Sequence, residues 1–168
     1  FIHMRGGLEG RDSSLTAAQN AEASLHIVHA NSSGGEDILE FLEMIKEAQD
    51  EGQDVTTEAY PYGASQTGIQ SALFDNWESW DEERFGRYQW VRTGERLTRE
   101  TFGKYRTEGG SVIIHGRTEE MTLAAVTSPL TIVASDGGTG HPRGAGTFAR
   151  ILGRYVREQG ALELMDAL

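Results

Sequence analysis

Apolar and polar positions along this chain alternate between a period of two and a period of 3.6, the mark of β and α units in succession. Leu25-His26-Ile27-Val28-His29 reads as a short buried strand. Asn31 to Gly35 supplies a turn, after which Ile38, Leu39, Phe41, Leu42, Ile45 and Ala48 fall on one helical face. Glu36 and Asp37 suit the positive N-terminus of that helix, and Gly52 suits its C-terminal stop. Asp54 to Tyr60 makes the next strand. The unit is β-loop-α-β, and parallel strands joined this way require a helical crossover.

Beyond Pro61 the pattern loosens. Residues 63–108 carry Trp77, Trp80, Phe85, Tyr88, Trp90, Phe102 and Tyr105 among many charges, which predicts a helical insertion, 63–110, anchored by aromatic packing. Two further strand-like runs follow, Ser111 to His115 and Leu130 to Ser135, with a helix expected between them at Thr118 to Thr127. From Thr147 onward Phe148, Ile151, Leu152, Tyr155 and Val156 recur at helical spacing. No internal repeat or low-complexity tract interrupts residues 1–168.

Charge and composition narrow the function. The chain carries 15 Lys+Arg against 26 Asp+Glu, a formal charge of −11, and no basic face of the kind that nucleic acid or an anionic membrane requires. With no cysteine, disulfides and thiolate zinc sites within the chain are excluded. No apolar run approaches the roughly 20 residues that span a bilayer. The sequence opens Phe1-Ile2-His3, without initiator methionine or signal-peptide pattern, and so reads as the interior of a longer protein, for which a cytoplasmic location is the expectation.

Three residues stand at or just past the C-terminal ends of expected parallel strands: His3, His29 and Asp136. Active sites of α/β barrels and open parallel sheets lie at that end. By strand alternation His29 shares a face with Leu25 and Ile27, Asp136 shares one with Ile132 and Ala134, and His26 points the other way. Two imidazoles and a carboxylate suit a catalytic metal with an open position for water, and an aspartate beside that water suits proton transfer. The Gly-rich stretch from Ser135 to Gly146 lacks a phosphate-loop ending and a dinucleotide fingerprint. Arg143 within it is suited either to clamping a substrate carboxylate or to pairing with an acidic side chain.

Four ordered segments resemble a known family. They are His3-Met4-Arg5; Val28-His29-Ala30-Asn31-Ser32-Ser33-Gly34; Val55-Thr56-Thr57-Glu58-Ala59-Tyr60-Pro61-Tyr62; and Ser135-Asp136-Gly137 followed by His141-Pro142-Arg143 and the run Gly146 to Glu158. Together they resemble the amidohydrolase superfamily, in its N-acyl-D-amino-acid deacylase (D-aminoacylase) branch. The resemblance implies an α/β fold that is part of a TIM-type β/α barrel, roughly strands five to eight, with the insertion after strand seven. It implies that His3, His29 and Asp136 bind metal, zinc as one or two divalent ions, and that Asp136 is also the general base. Tyr62 and Arg143 then help hold the substrate, while Arg5 and His141 line the same mouth.

The chain departs from that family in two places. Where deacylases carry Ser-His-Leu-Lys this chain has Val28-His29-Ala30-Asn31, so Asn31 stands at the position of a substrate-binding lysine. The change is reminiscent of dihydroorotases and hydantoinases, which cleave cyclic amides. The family's His-x-His on strand one and its bridging ligand on strand four have no counterpart here. The expectation is therefore a piece of a C–N hydrolase acting on a small-molecule amide, inactive when isolated, and prone to self-associate or to depend on a missing N-terminal segment. The alternative is a catalytically dead association or structural module.

Overall fold

A computed structural model describes residues 1–4 and 7–168. In chain order its main elements are α1 (Gly7–Asn20), β1 (Leu25–Ile27), α2 (Ala30–Gly34), α3 (Ile38–Asp50), β2 (Val55–Ala59), β3 (Ala64–Gly68), α4 (Glu82–Phe85), β4 (Tyr88–Trp90), α5 (Arg99–Glu108), β5 (Ser111–His115), α6 (Glu119–Thr127), β6 (Thr131–Val133) and α7 (Arg143–Arg150), which continues as a π-helix over Ile151–Glu158. They divide into two units, one of residues 1–62, 117–137 and 142–168, the other of residues 63–116 and 138–141.

The first unit is built on a parallel sheet in the order β1-β2-β6, with Ile2 bridged in parallel to Ile27 beside it. Spatial order thus follows chain order. Register pairs Ile27 with Thr57 and Glu58 with Ile132. One sheet face, Ile27, Val55 and Ala59, is buried with Ile38, Phe41 and Ile45 of α3, Ala125 and Val126 of α6, and Tyr155. The other face is polar and more open: His26 hydrogen-bonds Thr56 Oγ1 at 2.7 Å and Glu58 Oε2 at 3.2 Å. Ile132 on that face is 59% exposed.

Helix α3 forms where the apolar spacing demands, and Gly52 (φ 90°) follows its end in a left-handed conformation that only glycine adopts freely. The expected turn at Asn31 to Gly35 is instead the short helix α2 running into a 3-10 turn at Gly35–Asp37. Four polar or glycine residues in a row hide so short a helix, since no apolar face repeats.

The second unit corrects the expectation of a helical insertion. It contains an antiparallel sheet, β3-β5-β4, and Ser111 to His115 is its central strand rather than a member of the parallel series. Its core is aromatic, with Phe74, Trp80, Phe85, Tyr88, Trp90 and Phe102 all buried. Trp80 stacks on Tyr88 at 5.3 Å, and Trp90 lies flat on Tyr105 at 4.2 Å. Gly110 (φ 146°) turns beneath the Trp90 indole, where a side chain would collide with the ring. Thr98 and Thr101 cap α5 reciprocally, so its start is fixed by side-chain chemistry.

Candidate active site

In the first unit the residues past strand β1 turn sharply. His29 has left-handed backbone (φ 44°, ψ 61°) and is the N-cap residue of α2. Its Nε2 lies 2.8 Å from His3 Nδ1, the two rings 4.8 Å apart and tilted by 55°. On its other side Ser33 Oγ stands 3.3 Å from His29 Nδ1 and donates to the Val28 carbonyl at 3.2 Å. Ser33 therefore contacts Nδ1 of His29 while Nε2 faces His3, and which nitrogen carries the hydrogen follows the tautomer. Burial holds the His29 imidazolium well below the ordinary histidine range; the Asp136 carboxylate works against this, and the charge of His3 and then Arg143 reinforces it. A neutral imidazole with one nitrogen fixed by a hydrogen bond is the form that ligates metal.

Asp136 follows β6 and also has positive φ, 43°. Its Oδ2 meets Arg143 Nη1 at 2.8 Å, and Arg143, at the start of α7, is only 4% exposed. The Arg143 guanidinium lies 4.7 Å over the ring of Tyr60, a fully buried residue at the end of β2. The Tyr60 hydroxyl accepts a hydrogen bond from Arg117 Nη2 at 3.0 Å and contacts Ser32 Oγ. Tyr60, Arg117, Ser32 and Ser33 all escaped the sequence reading. Tyr60, Ser32 and Ser33 lie within the segments that carry the family resemblance, so their place at a strand end and beside His29 was the available signal; for Arg117 there was none.

Not every expected site residue joins this cluster. Asn31, read as a substrate binder, is 1% exposed and spends its amide on the backbone, donating to the Tyr60 carbonyl at 2.9 Å and more weakly to that of Tyr62 at 3.4 Å. It holds the end of β2, because a buried amide must satisfy its hydrogen bonds within the fold. Tyr62 lies under the Arg150 guanidinium, 5.0 Å from its ring, with its hydroxyl packed where α7 has only Gly146. His141 belongs to the second unit, where its Nε2 is 3.2 Å from the Ala64 carbonyl. Arg5 lies outside the described residues.

Two imidazole nitrogens sharing one cation at about 2.0–2.1 Å each stand roughly 3 Å apart. The His3–His29 separation of 2.8 Å fits that arrangement. A third donor is not gathered: among the described residues no group of three or more His, Cys, Asp or Glu is placed to hold a metal, and Asp136 is turned to Arg143.

Neither known protein-family profiles nor curated proteins match this sequence. Solved structures do. The N-acyl-D-glutamate deacylase of Bordetella bronchiseptica, complexed with zinc and a phosphonate mimic of the tetrahedral intermediate, superposes over 98% of this chain at 22% identity with a TM-score of 0.78. The chain has the D-aminoacylase fold. Two D-aminoacylase structures, one defining a subset of amidohydrolases and one addressing that enzyme's binuclear metal centre, superpose over 99% of it at 24% identity with TM-scores of 0.73 and 0.75. The branch that the sequence resembles is therefore the one that its mixed α/β fold matches. The likeness spans 39% of the length of each of those D-aminoacylase-fold proteins. No helix among the described residues is long and apolar enough to cross a membrane.

Proposed function

We propose that this chain is the part of a metal-dependent amidohydrolase barrel, roughly strands five to eight with residues 63–116 inserted after strand seven, that hydrolyses the C–N bond of an N-acyl-D-amino acid or a similar small amide. The observation that carries the reading is the convergence of His3 and His29 nitrogens, 2.8 Å apart, at the C-terminal ends of neighbouring parallel segments. A parallel sheet whose spatial order follows chain order supports a barrel over a doubly wound sheet, in which the order reverses.

His3 Nδ1 and His29 Nε2 are the atoms that hold the cation, zinc in this reading. A divalent ion bound there supplies polarisation of the amide carbonyl and makes a water easier to deprotonate. Asp136 takes the proton of the attacking water as the C–O bond forms, then delivers it to the amine nitrogen as the C–N bond breaks. Arg143 keeps the Asp136 carboxylate oriented through the 2.8 Å ion pair. Ser33 holds the orientation of the His29 ring through its contact with Nδ1.

With two convergent ligands and no third gathered among the described residues, the 168-residue chain by itself binds zinc weakly and turns over little substrate. The reading is tested by assaying N-acetyl-D-amino acids in the native zinc-loaded protein that contains these residues. Hydrolysis that falls by a factor on the order of 100 or more in Asp136→Asn supports it. Hydrolysis indifferent to Asp136→Asn contradicts it, and activity confined to dihydroorotate or hydantoins moves the substrate to cyclic amides.

A further inference from the structure

We infer that Arg117, with Ser32 beside it, recognises a carboxylate on the substrate; the inference rests on the amide-hydrolase reading and assigns the anion-binding group within it. Sequence reasoning assigned that role to Arg143, but the Arg143 guanidinium is engaged by Asp136 at 2.8 Å. Arg117 precedes α6, whose N-cap is Thr118, and donates Nη2–H to the Tyr60 hydroxyl at 3.0 Å.

A guanidinium only donates, so the Tyr60 oxygen accepts from Arg117, and Ser32 Oγ reaches the same oxygen. Arg117 and Ser32 thus meet at one phenol oxygen, next to the helix turn that carries His29. Arg117 Nε is buried and has no hydrogen-bond partner among the described residues. The Arg143 guanidinium lies over the same Tyr60 ring, 4.7 Å from its centre against 5.8 Å for Arg117. Among the described residues two guanidiniums share this place with the Asp136 carboxylate. The surplus positive charge, set in a partly buried position of a chain whose net charge is −11, is stabilised by an arriving anion. A carboxylate, flat and with two acceptor oxygens, matches a guanidinium fork and a neighbouring hydroxyl.

The test compares calorimetric binding of N-acetylglycine and its uncharged counterpart N-acetylglycinamide to the full 168-residue chain and to Arg117→Gln. The expected result is preference for the acid, lost by about tenfold or more in Arg117→Gln while the amide is bound equally by both. Should Arg117→Gln fail to fold, Arg117→Lys carries the same test, because it keeps the charge and loses the fork; it too must weaken the acid selectively. No preference for the acid, no binding of either ligand, or equal weakening of both overturns the assignment. Hydrolysis of N-acetyl-D-amino acids by the native zinc-loaded protein that contains these residues separates the two claims. Hydrolysis that depends on Asp136, with no charge discrimination at Arg117, removes Arg117 alone, and charge discrimination with hydrolysis indifferent to Asp136→Asn removes the hydrolase reading and keeps the anion site.

Discussion

His29 and Asp136 share an uncommon positive φ, 44° and 43°, each just past the end of a parallel strand. Non-glycine residues adopt such angles rarely and at modest cost, and they concentrate where function fixes a side chain. By strand alternation the two would lie on opposite faces: the face of Leu25 and Ile27 packs on the helices, whereas Ile132 lies on the open one. Once the backbone turns left-handed, alternation no longer governs them, and Asp136 comes near enough to bias the protonation of His29.

Replacing His29 by Gly tests whether that turn is a backbone demand or a side-chain demand. Gly tolerates the angle, so the fold is expected to survive, with stability changed by no more than about 1 kcal/mol from backbone terms. Metal binding is expected to weaken, since one of the two convergent imidazoles is lost. Chemical denaturation and zinc titration of the same sample check both.

Arg143→Lys is expected to lower turnover of charged and neutral amides alike, by roughly tenfold or more, because Arg143 orients Asp136 rather than the substrate. Steady-state kinetics on a matched acid and amide pair check this, and a selective loss with the acid would return the anchoring role to Arg143.

The fold was legible in unequal parts. Strands at 25–27, 55–59 and 131–133 and the helix at 38–50 announced themselves through apolar periodicity, since each buries one face. The sheet of the second unit did not, because Ala64 to Gly68 contains no apolar alternation and Tyr88-Gln89-Trp90 is only one period of it. Strand-end placement singles out His3, His29 and Asp136, of which the structure brings the two histidine rings together and turns Asp136 to Arg143, whereas Arg117 gives no local signal because its partner Tyr60 is 57 residues away in sequence.

Phe102→Ala is expected to destabilise the second unit by about 3–5 kcal/mol, the usual cost of emptying an aromatic core position. Phe102 is fully buried and meets Phe74, Trp77, Trp80, Phe85 and Tyr88. Urea unfolding followed by tryptophan fluorescence reads this unit directly, since all three tryptophans lie in it.

Acid is expected to weaken both units through the half-buried histidines His29 and His115. Burial lowers the native affinity of His29 for a proton, and burial followed by the charge of Arg96 does the same for His115. The unfolded chain binds these protons below a pH of about 6.5 while the native state resists them, so stability present above that pH is lost as pH falls toward the lower native values. Unfolding midpoints measured between pH 8 and pH 5 check the sign; in His115→Gln the loss in the second unit is expected to shrink.

The most direct measurement of the central claim is X-ray absorption at the zinc edge on the zinc-loaded chain, compared with His3→Ala and His29→Ala. The account predicts a first shell containing two imidazole nitrogens at about 2.0–2.1 Å, reduced by one in each variant. A zinc shell that is unchanged in both variants would contradict it.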